Sequence, residues 1–137
     1  MAGFRDFREI VAWQLAHELK IRVDTFLCRP EFRRKFKFCD QLSDSARSAP
    51  RNIAEGFARY KHKEFAQFVR IAKGSEAEVL NHMIDAHDQR LVTKEEFLLT
   101  EHLIKRSLKA ANGLIRWLES NPDPPAPLAT AKKPKAR

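Results

Sequence analysis

Four stretches of the chain carry apolar residues three or four positions apart, which is the period of an amphipathic α-helix. They run from about 7 to 27, 37 to 59, 63 to 88 and 93 to 118. The links between them are short, so neighbouring helices are expected to be antiparallel. The pattern predicts an all-α, antiparallel up-down-up-down four-helix bundle over residues 1–119.

Local signals predict where the helices end. Proline disfavours the α conformation in the residue before it, so Pro30 ends the first helix, and a basic connection is expected up to the second helix. Thr93 followed three residues later by Glu96 predicts a capping box at the start of the fourth helix. Residues 120–137 are Pro-rich and then basic with little apolar matter to bury, which predicts a disordered basic tail.

Two helix interiors contain unusual residues. Pro50 lies inside the second helix, and we favour a kinked continuous helix over a fresh start near Ser48. Gly74 lies in the middle of the third helix, where glycine costs about 1 kcal/mol relative to alanine. We interpret Gly74 as the mark of a close helix–helix approach, with a ligand contact as the alternative.

The net charge of +8 is unevenly distributed. Residues 29–73 carry +7 and residues 120–137 carry +3, whereas residues 1–28 are neutral and residues 74–119 carry −2. A concentrated basic block suits a polyanion such as RNA or DNA, although a solvated basic face is the alternative. The candidate nucleic-acid-binding residues are Arg33, Arg34, Lys35, Lys37, Arg47, Arg51, Arg59, Lys61, Lys63, Arg70 and Lys73.

Phenylalanines are interleaved with the first of these cations, at Phe32, Phe36 and Phe38. Aromatic rings beside arginines can stack on unpaired bases, but such rings are more often part of a core. Further along, Asn52, Glu55 and Arg59 are three and four positions apart and share one helix face. Buried polar groups must satisfy one another, and Glu64 and Glu78 are candidate partners for this row, with simple exposure as the alternative.

The sequence contains few of the patterns that carry catalysis. None of the five histidines follows a glutamate by three positions, as in di-iron bundles, and no phosphate-binding glycine loop or nucleophile elbow occurs. Glu78 and His82 lie four apart, which is weak support for a metal. Cys28 and Cys39 are expected to be reduced, half-buried thiols. No catalytic residue, metal or cofactor is therefore predicted, and the chain is not expected to be an enzyme.

Charged residues occupy the N-terminus, where a secretory signal would be apolar, and no apolar run is long enough to span a membrane. A cytoplasmic location without membrane contact is therefore expected.

Residues 48–59, with the run Asn-Ile-Ala-Glu-Gly, and residues 63–78, ending in Gly-Ser-Glu-Ala-Glu, resemble the four-helix bundle family of 23S ribosomal RNA intervening-sequence proteins. The opening helix is similar as well, and the resemblance covers about residues 4–118. These proteins are encoded within inserts of bacterial 23S ribosomal RNA genes and at other bacterial loci. The family motif corresponds here to Asn52, Glu55, Gly56, Glu64, Phe65, Phe68, Gly74, Ser75 and Glu78.

The resemblance implies a bundle that assembles as a ring-shaped homopentamer and is not an enzyme. A related protein is the accessory protein of diversity-generating retroelements, which binds its reverse transcriptase and nucleic acid. Together with the basic block, this predicts a non-enzymatic homopentamer that binds nucleic acid, with ribosomal RNA as one candidate. The alternative is a protein-interaction subunit, for example of a reverse transcriptase.

Overall fold

The computed structural model describes residues 4–125, which are helical apart from turns and connections and contain no strand. This confirms the predicted all-α class for the described residues. A short 3-10 turn at Phe7–Glu9 precedes five helices: α1 Val11–Leu27, α2 Pro30–Arg33, α3 Phe36–Phe57, α4 His62–Asp88 and α5 Lys94–Ser120.

The sequence interpretation was wrong at the start of the first helix and in the connection that follows it, whereas the helix ends at Leu27 as expected. The helix does not begin at residue 7, because Ile10 is extended (φ −79°, ψ 121°) and separates the 3-10 turn from α1. The turn is held by Asp6, whose carboxylate accepts a hydrogen bond from the Arg8 backbone N–H at 2.8 Å. The predicted connection after α1 contains α2, which Pro30 starts at a position that needs no N–H donor.

Other local predictions are confirmed. Helix α3 runs through Pro50 without interruption, while the expected bend stays a prediction. The start of α5 carries the capping box: Glu96 N–H donates to Thr93 Oγ1 at 3.1 Å, and Thr93 N–H donates to Glu96 Oε1 at 2.9 Å. Arg29 also donates to the Glu96 carboxylate, and this hydrogen bond is the main reason that the pKa of Glu96 is lowered to about 2. The end of α1 is thereby joined to the start of α5.

The core consists of two apolar clusters, one towards each end of the molecule. The first combines the start of α1, the end of α3, the start of α4 and the end of α5; among its members are Ala16, Ile53, Phe65, Val69 and Leu114. The second combines the end of α1, the start of α3, the end of α4 and the start of α5; among its members are Leu19, Phe32, Leu42, Met83 and Ile104. Each long helix therefore contributes one half to each cluster.

A buried polar pair lies between the two clusters. Glu76 of α4 has an exposed fraction of 0%, and neither carboxylate oxygen has a hydrogen-bond partner among residues 4–125. Burial raises the pKa of Glu76 to about 7, and the nearby Ser107 hydroxyl of α5 lowers it slightly. An ionised carboxylate here would be costly, so the fold favours the protonated form.

The close helix–helix approach expected at Gly74 occurs at Gly56 instead. An added Cβ at Gly56 would lie 2.8 Å from both Phe65 Cδ1 and Phe68 Cβ, so α3 and α4 approach closely at this glycine. At Gly74 an added Cβ would meet nothing within 4 Å. The predicted close approach at Gly74 is therefore wrong, because this residue faces outward from α4.

The first residues of the predicted disordered tail make defined contacts. Lys61 precedes α4 and makes no side-chain capping hydrogen bond. Instead, Asp123 Oδ1 accepts from the His62 backbone N–H at 2.8 Å, and the Asn121 carbonyl lies 3.0 Å from His62 Nδ1. Asn121 and Asp123 thus make specific contacts although residues 121–125 are not helical. The disorder expected from residue 120 stays a prediction, and residues 126–137 lie outside the described part of the chain.

The glycine contacts predict opposite effects for one substitution. Gly56→Ala should lower the free energy of unfolding by about 1 to 3 kcal/mol, because the methyl group overpacks the α3–α4 contact. Gly74→Ala should raise it by up to about 1 kcal/mol, because alanine is the better helix former. Urea denaturation of both variants measures the difference, and equal effects would contradict the assigned contacts.

The buried carboxyl predicts a pH dependence of stability. In the unfolded chain Glu76 ionises near its ordinary pKa of 4.5, and in the fold near 7. Its contribution to stability is therefore greatest below pH 4.5 and is lost as the pH rises through about 7. The difference corresponds to about 3 kcal/mol.

Glu76→Gln should remove this loss, so the variant becomes more stable than the parent at pH 8 and its advantage shrinks towards pH 4.5. Denaturation of both proteins at several pH values gives the difference in their free energies of unfolding. The titrations of all other groups contribute equally to both proteins and cancel in this difference. Glu78→Gln, at an exposed position of the same helix, is the control. A constant stability difference between Glu76→Gln and the parent across the pH range would show that folding does not raise the pKa of Glu76.

Candidate nucleic-acid interface

The predicted basic residues lie on the surface. Ten of the eleven candidate cations are exposed, and Lys73 is half-buried. Three of them form ion pairs: Arg47 with Asp24 at 2.9 Å, Arg59 with Glu55 at 3.5 Å, and Arg70 with Glu119. The other eight form no ion pair with a residue of the described chain, so most of the predicted charge is available to a partner.

The strongest concentration of cations lies at the junction of α2 and α3. We call Arg33, Arg34, Lys35, Phe36 and Lys37 the junction cluster. Its shape follows from the buried Phe32, which packs near Phe26 (ring centroids 6.2 Å apart) and anchors the short α2. With Phe32 turned inward, all five residues that follow it are exposed.

Phe36 is the aromatic member of the junction cluster, and 78% of its surface is exposed. The open question about the three phenylalanines is therefore resolved differently for each: Phe32 is core, Phe38 is half-buried and Phe36 is a surface ring. The positions of the two rings relative to Leu42 already distinguish Phe38 from Phe36. Phe38 lies four residues before the buried Leu42 and continues its stripe, whereas Phe36 lies six before and falls on another face.

A second basic group lies at the turn between α3 and α4, with Arg59, Lys61 and Lys63. The guanidinium of Arg59 stands 5.0 Å from the ring centroid of Phe68. Helix α3 has 22 residues, which span about 33 Å. The junction cluster and this turn are therefore at opposite ends of α3, with Arg47 and Arg51 on the helix between them, so the predicted stripe is concentrated at its two ends.

Most residues of the family motif meet where α3 packs on α4. Asn52 donates to the backbone carbonyl of Ser48 at 2.8 Å and to its hydroxyl at 3.0 Å, and the Ser75 hydroxyl lies 2.7 Å from that of Ser48. Glu78 accepts from Ser45 at 2.9 Å.

The expected polar row is therefore wrong in its partners. Asn52 is buried and bonded to Ser48, while Glu55 and Arg59 are exposed and pair with each other. Glu64 is exposed on α4. Among the motif residues, Gly56, Phe65 and Phe68 form the close helix contact, so the motif describes packing of α3 on α4 more than a ligand site.

An open polar groove of about 630 Å³ runs over the outer side of α3 and α4. Gly74 lies in its wall, together with Asp44, Glu78 and His82. Glu78 and His82 thus share one groove, yet no group of three or more potential ligands that could hold a metal occurs within residues 4–125. The predicted thiols are free, and burial raises the pKa of half-buried Cys39, whereas Cys28 is exposed just beyond α1, contrary to the expectation.

None of the helices in the described residues is long and apolar enough to cross a bilayer.

Comparison with known proteins gives one finding. No curated protein matches the chain at a significant level. The family model described as 23S rRNA-intervening sequence protein matches residues 8–113. The match spans all of α1 to α4 and most of α5, including the close contact at Gly56 and the junction cluster. The chain therefore belongs to the family of 23S rRNA-intervening sequence proteins.

Proposed function

We propose that this protein is a non-enzymatic, homopentameric helical-bundle protein that binds single-stranded nucleic acid, with ribosomal RNA as the leading candidate. The observation that carries the proposal is the junction cluster, where Phe36 is 78% exposed among four exposed cations without ion pairs in the described chain. Cations neutralise phosphates, and an exposed ring offers a stacking surface for an unpaired base.

A base-stacking role explains a feature that packing within one subunit does not. Burying a phenylalanine side chain is worth about 1.5 to 3 kcal/mol, so leaving Phe36 in water forgoes a large stabilisation. The neighbouring Phe32 and Phe38 both obtain core contacts. Aromatic platforms beside arginines and lysines are typical of single-strand binders, whereas duplex binding needs no exposed ring.

The proposed subunit is an antiparallel up-down-up-down four-helix bundle. The composition of the two core clusters supports this arrangement, because each cluster combines the start of one long helix with the end of the next along the chain. The proposed pentamer is supported by the family resemblance and by large apolar side chains left exposed on the helices, such as Val11, Ile71 and Leu99.

Removing the charges of the junction cluster should weaken binding and its salt dependence. For Arg33→Gln, Arg34→Gln, Lys35→Gln and Lys37→Gln combined, the slope of log affinity against log salt should fall by about 3 for a single-stranded RNA. Fluorescence anisotropy at several salt concentrations measures it. The matched control removes four exposed cations of α5, Lys94, Arg106, Lys109 and Arg116. Equal slopes for the two variants would place binding elsewhere.

The same assay separates stacking from charge. Phe36→Ala should weaken single-stranded RNA binding by about 5- to 150-fold, corresponding to one stacked base, with the salt slope unchanged. Binding to an RNA duplex should change little. Because the ring is exposed, the thermal midpoint should also stay the same, and equal losses for duplex and single strand would end the stacking role.

The pentamer predicts a mass in solution five times that of the 15.9 kDa chain. Light scattering during size-exclusion chromatography of the full chain measures this mass. A stable monomer at micromolar concentration would contradict the pentamer and leave the nucleic-acid proposal to be judged on the anisotropy data.

A further inference from the structure

A second cavity lies at the end of the molecule opposite the junction cluster. It has a volume of about 630 Å³ and is formed where the turn between α3 and α4 meets the N-terminal segment and the residues after α5. Its walls include the prolines of residues 122–125 and five rings: Phe4, Phe57, Tyr60, His62 and Trp117. The volume falls within the range of small-molecule sites, about 300–1,000 Å³.

The rings that line this end cavity are partly accessible. Tyr60, His62 and Trp117 are half-buried, and the ring centroids of His62 and Trp117 are 5.2 Å apart with an interplanar angle of 53°. The position of His62 is fixed by its contacts with Asn121 and Asp123. Half-buried rings held by their surroundings suit a planar ligand, because little side-chain entropy is lost when it binds.

Positive charge is present in the cavity lining and on the chain neighbours of a lining residue. Arg59 is part of the lining, and Lys61 and Lys63 flank His62 on the exposed surface. Arg59 forms an ion pair with Glu55, whereas neither lysine is in an ion pair with a residue between 4 and 125. Asp123 accepts a hydrogen bond from the His62 backbone N–H, and the exposed Glu64 follows Lys63 in the chain. An apolar peptide would make no use of these cations, whereas a nucleotide chain would.

We propose that the end cavity binds one unpaired nucleobase of a single-stranded nucleic acid, with Lys61 and Lys63 on the adjoining phosphates. This inference rests on the proposed function and adds a second contact point to it. The base stacks against the aromatic lining, and the two lysines fix the strand's direction of exit. Since the cavity and the junction cluster lie about one α3 length apart, about 33 Å, each can be tested without the other.

Trp117 reports directly on the cavity. In the full chain with Trp13→Phe, Trp117 is the remaining tryptophan. A five-nucleotide single-stranded RNA should quench its fluorescence saturably, whereas an abasic chain of the same length should not. Tyr60→Ala should weaken the affinity read from this quenching at least tenfold, while Tyr60→Phe, which keeps the ring, should retain it. Circular dichroism confirms that both variants are folded.

The charge of the two lysines has its own test. Lys61→Gln with Lys63→Gln should lower the salt slope by about 1.4, the value expected for two phosphates of a single strand. The matched control, Lys94→Gln with Lys109→Gln at two exposed positions of α5, should leave it unchanged. Phe36→Ala should weaken overall binding by anisotropy but leave the saturable quenching of Trp117 in place.

The outcomes distinguish the two proposals. Binding by anisotropy without quenching of Trp117, quenching that the abasic chain reproduces, or quenching that Tyr60→Ala leaves intact would overturn the end-cavity site while the junction cluster stands. Absence of any binding by anisotropy at low salt would overturn the proposed function and the end-cavity site together.

Discussion

The contact between Gly56 and the rings of α4 is the constraint on which the arrangement of α3 and α4 depends. No side chain fits at this position, since a Cβ would stand 2.8 Å from Phe65 and Phe68. Further along the same helix pair the Ser48 and Ser75 hydroxyls are 2.7 Å apart, and Asn52 bonds to Ser48 within α3. The missing side chain at Gly56 thus permits the close α3–α4 contact just before the basic turn.

The sequence predicts much of this fold because the packing of the helices follows from the apolar stripe that each helix carries. The stripes of α3, α4 and α5 and the capping box at Thr93 need nothing beyond neighbours a few residues away. The features that the sequence analysis predicted wrongly or missed depend on contacts between residues far apart in the chain. Gly74 and Gly56 are both helical glycines, and the spacing cannot tell which of them meets a phenylalanine. Asp123 completes the start of α4 from 61 residues away, and no local pattern reveals that.

The sequence analysis predicted which residues belong to the candidate site but not how they are arranged on the surface. The cations are on the surface, as their charge and length dictate. Their division into a group at each end of α3 follows from the helix length, and three of them are already neutralised by carboxylates of α1, α3 and α5. The exposed ring of Phe36 distinguishes one end from a merely solvated basic face. The aromatic cavity at the other end unites residues from three separate parts of the chain, so no short stretch of sequence reveals it.

The distribution of the core has a consequence for how the molecule opens. Every long helix belongs half to one cluster and half to the other, with the Glu76 and Ser107 layer between them. Detaching a single helix therefore disrupts both clusters, so piecemeal fraying of whole helices is disfavoured. Local unfolding should cost less free energy when the four long helices separate together at one end of the bundle while the other end stays packed. Amide protons at the same level along the bundle axis would then show similar hydrogen-exchange rates, whichever helix they belong to.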